Sequence, residues 1–269
     1  ERKTQITAHG VKDFSAEDLI PDEDTIITIT KDGYIKRLPP ETFKTQSRGG
    51  KGVAGLTTKE EDIVEHFFTT TSHSDILFFT TKGRVFQLKA YDIPKGSRTA
   101  KGQAIVNFLQ LAPDEKISSA LPLSELGDYK FLVMVTNKGN IKKVNVTDFD
   151  NIRRSGLIAI RLKKNDELEW VKPSSGKDDI ILVSSFGQAI RFRESQVRPM
   201  GRAASGVRGI RLKNNDNVVS MDIVDPTLAK VGQLLIIMAN GYGKRSGLAN
   251  YKTQGRGGSG IKTAKITAK

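Results

Sequence analysis

The chain has 269 residues, 37% of them apolar, with 43 Lys and Arg against 30 Asp and Glu, a formal net charge of +13 and a pI of about 9.8. That length can bury a full core, either as one large all-β unit or as two domains. There is no cysteine, which excludes disulfides and thiolate metal sites, and the three histidines His9, His66 and His73 do not cluster as metal ligands would. No apolar run approaches the roughly 18 residues that span a bilayer, and no signal-peptide pattern opens the chain, so a cytoplasmic protein is expected. The positive balance favours a polyanionic partner, nucleic acid or an anionic membrane face.

Residues 1 to 24 are polar, with Arg2–Thr7 as a candidate short strand and Ser15–Asp24 as an acidic connector; the chain begins without Met, which reads as a fragment of something longer. From Thr25 a unit repeats. Five apolar runs recur: Ile26–Ile29, Ile76–Phe79, Phe131–Val135, Ile180–Val183 and Leu234–Ile237. Short β-branched and aromatic runs of this kind read as buried strands. Each ends in a turn carrying Gly33, Gly83, Gly139, Gly187 or Gly241, and Asp32-Gly33 and Asn240-Gly241 are hairpin dipeptides. A second strand leaves each turn, as in Tyr34–Arg37 and Arg84–Gln87.

A loop of glycine and cations follows every hairpin. The five copies are Gln46-Ser47-Arg48-Gly49-Gly50-Lys51-Gly52, then Ser97–Gly102 with Arg98 and Lys101, Arg153-Arg154-Ser155-Gly156, Arg202–Gly206, and Gln254–Gly260 with Arg256. The last glycine of the loop lies 19 residues beyond the turn glycine in four units and 17 in the third. Acidic turns, Glu61-Asp62, Asp114-Glu115, Asn165-Asp166-Glu167 and Asn215-Asp216, precede further apolar strands and suit the outer hairpin of a four-stranded blade. Their carboxylates read as turn formers rather than as acid/base catalysts. The segment Ile261–Ile266 resembles the start of a sixth unit. Blades of about 50 residues arranged radially bury faces that none could bury alone.

A second row of cations stands three and four residues after the turn glycine: Lys36-Arg37, Lys142-Lys143, Lys244-Arg245 and, in the fourth unit, Arg191 alone. Recurrence at the repeat period predicts one belt of charge around a rim. A smooth bend of 40–90° in a short duplex costs on the order of 1–6 kcal/mol, which many phosphate contacts with counterion release can offset. Such contacts carry no base code, so binding is expected to tolerate any sequence. Gly50–Gly55 and Gly255–Gly260 both spell G-x-G-x-x-G, yet neither precedes a convincing helix, so a dinucleotide site is not expected. The tyrosines and Trp170 read as packing residues, and no nucleophilic or metal constellation stands out.

The first loop resembles the heptapeptide box of the DNA gyrase A family, spelled QRRGGKG, with Ser47 in place of an Arg. The stretches Asp75–Phe86, Ser205–Leu212 and Asn240–Arg245 resemble the same family. The resemblance implies an all-β β-pinwheel, a propeller-like fold with five recognisable blades and the start of a sixth. It implies that residues 25–269 wrap double-stranded DNA around a basic edge, and that residues 1–24 connect to a catalytic region elsewhere. DNA binding then falls to the box (Gln46, Ser47, Arg48, Gly49, Gly50, Lys51, Gly52) and to Arg37, Arg98, Lys101, Lys142, Lys143, Arg153, Arg154, Arg191, Arg202, Lys244, Arg245 and Arg256. The fragment itself holds no cofactor and cuts nothing. ATP and Mg2+ belong, by the same resemblance, to a holoenzyme of two A and two B chains that introduces negative supercoils. The related topoisomerase IV domain, in which the box is typically degraded, and a protein-binding propeller of the kelch type are the alternatives.

Overall fold

The computed structural model describes residues 16–43 and 62–266. Its strands, in chain order, are β1 (Asp24–Thr30), β2 (Tyr34–Leu38), β3 (Val64–Thr71), β4 (Asp75–Thr80), β5 (Arg84–Lys89), β6 (Gln103–Ala104), β7 (Ile117–Pro122), β8 (Phe131–Thr136), β9 (Asn140–Asn145), β10 (Leu157–Ile158), β11 (Leu168–Ser174), β12 (Asp179–Ser184), β13 (Gln188–Arg193), β14 (Val207–Arg208), β15 (Val218–Val224), β16 (Gln233–Ile237), β17 (Gly243–Gly247) and β18 (Ile261–Lys262). They form four four-stranded antiparallel sheets, β3-β1-β2-β6, β10-β5-β4-β7, β11-β8-β9-β14 and β15-β12-β13-β18, and one two-stranded sheet, β16-β17. The helical segments among the described residues are short 3-10 turns, and none is long and apolar enough to cross a membrane.

Continuous apolar runs are explained by burial on both faces. Successive side chains of a strand point to opposite sides. Thus Ile76 and Phe78 pack with Ile27, Ile29 and Ile35 of the first sheet. Leu77 and Phe79 pack with Leu132, Met134 and Val144 of the third. Val133 and Val135 meet Ile180, Leu182 and Ile190 of the fourth, and Ile181 meets Leu248, Tyr251, Leu234 and Ile236 of the fifth. Fully burying one such side chain contributes about 1.5–3 kcal/mol, so the sheets are held chiefly by their neighbours. The fifth sheet buries one face only: Leu235 and Ile237 remain 62% and 68% exposed.

The chain reaches its fourth strands by exchange between units. After each of the four described basic loops it lays two residues on the preceding sheet. The register is the same four times: Tyr34 opposite Ala104, Arg84 opposite Ile158, Asn140 opposite Arg208 and Gln188 opposite Lys262. This corrects two sequence expectations. Ile261–Lys262 opens no sixth unit; as β18 it completes the fourth sheet. The strands after the acidic turns are not the outer ones either, because β3, β7, β11 and β15 approach one another. Ser119 accepts from Val171 N–H at 3.1 Å, joining β7 to β11, and Lys172 pairs with Asp222 at 2.7 Å, joining β11 to β15. The sheets therefore open as a fan from these strands, and the short strands that follow the basic loops stand at the opposite edges.

The acidic turns act as clamps. Asp114, Asn165 and Asn215 adopt φ of 58°, 56° and 62°, the left-handed region that Asn and Asp tolerate best. The next residue then grips the neighbouring hairpin turn. Asp166 accepts from Lys138 N–H at 2.9 Å, Thr136 Oγ1 at 2.8 Å and Asn140 Nδ2 at 2.9 Å. Asp216 accepts from Phe186 N–H at 3.0 Å and Ser185 Oγ at 2.8 Å. Glu115 accepts from Thr80 Oγ1 and from Arg84. Burial works against ionisation of Glu115, but these donors and the Ala112 N–H outweigh it and hold the carboxyl below its usual range.

Candidate nucleic-acid interface

Each of the four described basic loops is a short excursion between a 3-10 turn and a two-residue strand, built around one side chain of the preceding sheet. The loop Ser97–Gly102 wraps the side chain of Lys36, which is 5% exposed. Its Nζ donates to the carbonyls of Ser97 at 3.2 Å, Arg98 at 2.9 Å and Ala100 at 2.5 Å. Gly102, at φ +89°, leaves no room for a Cβ, which would stand 2.6 Å from the Ile35 carbonyl. Lys101 projects its ammonium 3.6 Å from the centre of the Tyr34 ring, and Arg98 is half-buried.

The other loops vary this plan. Arg202–Gly206 rests on Lys142, which is fully buried and donates to the carbonyls of Arg202 and Ala159. Burial lowers the Lys142 ammonium to about 8. In Arg153–Gly156 an apolar plug replaces the lysine: a Cβ on Gly156 would lie 2.8 Å from the Phe86 ring. Arg84 reaches the Ser155 carbonyl at 3.2 Å, and Arg153 and Arg154 are exposed. In Gln254–Gly260 the half-buried Arg256 donates to the carbonyls of Gln196 at 3.1 Å and Arg208 at 2.6 Å. Successive loops also touch: Arg161 N–H reaches Ala204 O at 3.3 Å and Arg211 N–H reaches Gly258 O at 2.8 Å. The last three loops therefore adjoin one another, and all four described loops lead into strands at the same edges of the sheets.

The structure departs from the sequence expectation at the second row of cations. Arg37, Lys142, Lys143 and Arg191 are 8%, 0%, 4% and 5% exposed and do not line the surface. Arg37, Lys143 and Arg191, each four residues after its turn glycine, tie the first, third and fourth sheets to the 3-10 turn of the next unit. Arg37 donates to Ile93 O, Tyr91 O and Ser72 Oγ. Lys143 pairs with Glu194 at 3.1 Å. Arg191 pairs with Asp179 at 2.7 Å and reaches the carbonyls of Leu248 and Tyr251. Orphan carbonyls at the ends of 3-10 turns need donors, and a buried cation supplies several. Only in the fifth unit are both members of the row, Lys244 and Arg245, exposed, with Lys244 on the Thr263 carbonyl at 3.0 Å.

The exposed loop cations are thus Lys101, Arg153 and Arg154, joined by the half-buried Arg98, Arg202 and Arg256. The box residues Gln46, Ser47, Arg48, Gly49, Gly50, Lys51 and Gly52 lie outside the described residues. Sequence reasoning passed over Arg161 and Arg211, both exposed on the same border. Each stands five residues after the last glycine of its loop, a period that was there to be read. Among the described residues no group of three His, Cys, Asp or Glu side chains is placed to hold a metal. Gly255–Gly260 leads into β18 rather than a helix, as expected of a loop unrelated to dinucleotide binding.

Comparison with known proteins follows the same repeats. A family model described as DNA gyrase C-terminal domain, beta-propeller, matches residues 24–71, 74–124, 130–175, 178–225 and 233–269. The DNA gyrase A subunit of Staphylococcus aureus is 44% identical over 268 residues, covering 99% of this chain and 30% of the relative. That of Staphylococcus epidermidis is 42% identical over the same length and also 30% covered. The chain therefore spans less than a third of these relatives. Among solved structures, the C-terminal domain of a DNA topoisomerase IV superimposes with a TM-score of 0.73 at 27% identity, over 90% of this chain and 73% of that one. A DNA gyrase A C-terminal domain gives 0.70 at 28% identity, over 89% and 76%.

Proposed function

The chain belongs to the DNA gyrase C-terminal domain, beta-propeller family, and from that premise we propose that it binds double-stranded DNA along its border of basic loops, bends it and wraps it without regard to sequence. The observation that carries this reading is the side of the fan on which the loops lie. The strands β3, β7, β11 and β15 draw together, so a duplex following the loops at the opposite edges takes the longer, curved path. Phosphates meet backbone N–H groups and Arg and Lys side chains there, contacts that position a duplex without reading its bases. Released counterions offset the elastic cost of the bend.

The chain cuts no DNA in this reading, and serves as the non-catalytic wrapping part of an ATP-dependent topoisomerase in the bacterial cytoplasm. Wrapping presents a crossing of fixed sign to catalytic regions carried elsewhere, in an assembly of two A and two B subunits, so that strand passage introduces negative supercoils. The heptapeptide Gln46–Gly52, with Arg48 and Lys51, supplies further phosphate contacts in the same reading. The identity to gyrase A favours gyrase over topoisomerase IV, although the solved domains of both superimpose about equally well.

The test is the salt dependence of duplex binding. Replacing Arg153 and Arg154 together by Ala is expected to lower the slope of log K against log salt by about 1.8, near 0.9 for each phosphate no longer neutralised. The melting temperature should stay unchanged, because both side chains are exposed. An unaltered slope would remove this loop from the interface.

A further inference from the structure

The cations that recur at the repeat period divide into those that reach solvent and those that do not, and the buried ones hold the loops from beneath. Lys36 is the fullest case. Its ammonium is bonded to three carbonyls of one loop, those of Ser97, Arg98 and Ala100. Its stem passes between the two ends of that loop, where Cβ atoms on Gly96 and Gly102 would each stand 3.3 Å from Lys36 carbons. A trans peptide points its C=O and its N–H in opposite directions. Carbonyls of Ser97 and Arg98 turned inward on the ammonium therefore turn the N–H groups of Arg98 and Thr99 outward. Lys142 repeats the device two units later: it draws in the Arg202 carbonyl and so turns out the N–H of Ala203. A Cβ on Gly206 would stand 3.2 Å from the Lys142 Cβ. Phe86 and Ile190 occupy the equivalent place in the second and fourth units and offer no such donor.

We propose that Lys36 and Lys142 are positioning residues that set two loops as phosphate receptors, holding carbonyls in so that amide N–H groups face the oxygens of a duplex backbone. This rests on the reading of the loop border as the DNA interface. Neither lysine touches the phosphate; Lys36 turns out two successive N–H donors, as in the backbone nests that bind anions, and Lys142 turns out one. Loops seated on Phe86 and Ile190 contact the duplex through side chains instead, so the four described loops alternate between two modes of holding phosphate.

The experiment is a titration of the 269-residue chain with a 20-base-pair duplex, followed through its backbone amide resonances. In the wild type the amides of Arg98, Thr99 and Ala203 are expected to shift as duplex is added. In Lys36→Met those of Arg98 and Thr99 should cease to respond, while Ala203 and the Arg153–Gly156 loop still shift. Affinity should fall about tenfold, the loss of one charge-assisted hydrogen bond. Lys36→Met leaves the carbonyls of Ser97, Arg98 and Ala100 without their donor, so the melting temperature should fall by several degrees as well, and the continued response of Ala203 and the Arg153–Gly156 loop shows that the variant is folded. Wild-type amides of Arg98 and Thr99 that stay still while other loops shift would overturn the proposal and leave the DNA interface standing. No shift anywhere would overturn the interface and the proposal with it. The wild-type titration decides the matter even if the Met variant fails to fold.

Discussion

Replacing Asp179 by Ala would strand the guanidinium of Arg191 inside the junction between the fourth and fifth sheets. Arg191 is 5% exposed and directs Nε at 2.9 Å and Nη2 at 2.7 Å to one carboxylate oxygen of Asp179. Nη1 reaches the carbonyls of Leu248 at 3.3 Å and Tyr251 at 3.5 Å. Breaking a buried pair from one side costs about 3–5 kcal/mol. Because Nη1 keeps its carbonyls in the variant, the lower end is expected, about 3 kcal/mol. For a chain of this size that is a fall of about 6–12 °C in Tm. Thermal and urea unfolding followed by circular dichroism measure it. The double variant Asp179→Ala, Arg191→Met should regain part of the loss, since no unpaired charge remains buried. In parallel, Arg191→Met should leave the salt slope of duplex binding unchanged, whereas a direct phosphate contact would lower it by about 0.9. A stability loss below about 1 kcal/mol, combined with a reduced slope, would refute the assignment of Arg191 to the inter-sheet tie.

Two further predictions concern the fold. Gly241→Ala should cost about 1 kcal/mol, because φ is +80° but nothing lies within 4 Å of a Cβ. Gly83→Ala, at φ +75° with the Ile160 carbonyl 2.6 Å from its Cβ, should cost about 2 kcal/mol more in chemical denaturation; equal costs would show that this close approach is easily relieved. Burial holds the pKa of His66 below its usual value. The unfolded chain therefore takes up a proton near pH 6.5 that the folded chain refuses. Stability should fall as the pH drops below about 6.5 and level off once folded His66 is protonated, and His66→Gln should flatten that part of the profile. An identical profile in the variant would exclude His66 as its source.

Four of the five apolar runs were legible because both faces of the strand are buried, so the run marks a blade without any alternation to confuse it with a surface strand; the fifth, Leu234–Ile237, reads the same although Leu235 and Ile237 are exposed. Turn glycines and the Asp and Asn of the acidic turns were legible for a related reason: few residues tolerate the backbone they adopt, as φ of 56° at Asn165 and 76° at Gly139 illustrates. The exchange of strands between units was not legible, since a two-residue strand such as Gln103–Ala104 carries no pattern of its own. The second row of cations misled for a physical reason. A Lys or Arg that recurs at the repeat period has the same signature whether it meets solvent or a ring of carbonyls. Lys142 and Arg153 look alike in sequence, and only packing separates the fully buried residue from the exposed one. Arg161 and Arg211 were available to the same periodic reasoning and were overlooked because they sit just beyond the glycines that define the loops.

The central claim is that a duplex laid along the loop border is forced to curve in one sense. Ligating nicked circular DNA in the presence of the protein, then removing the protein and resolving the topoisomers, measures it directly. The account predicts a shift in the mean linking number that grows with protein concentration and shrinks as salt is raised. A topoisomer distribution identical to that of circles closed without protein, at concentrations where the duplex is bound, would contradict it.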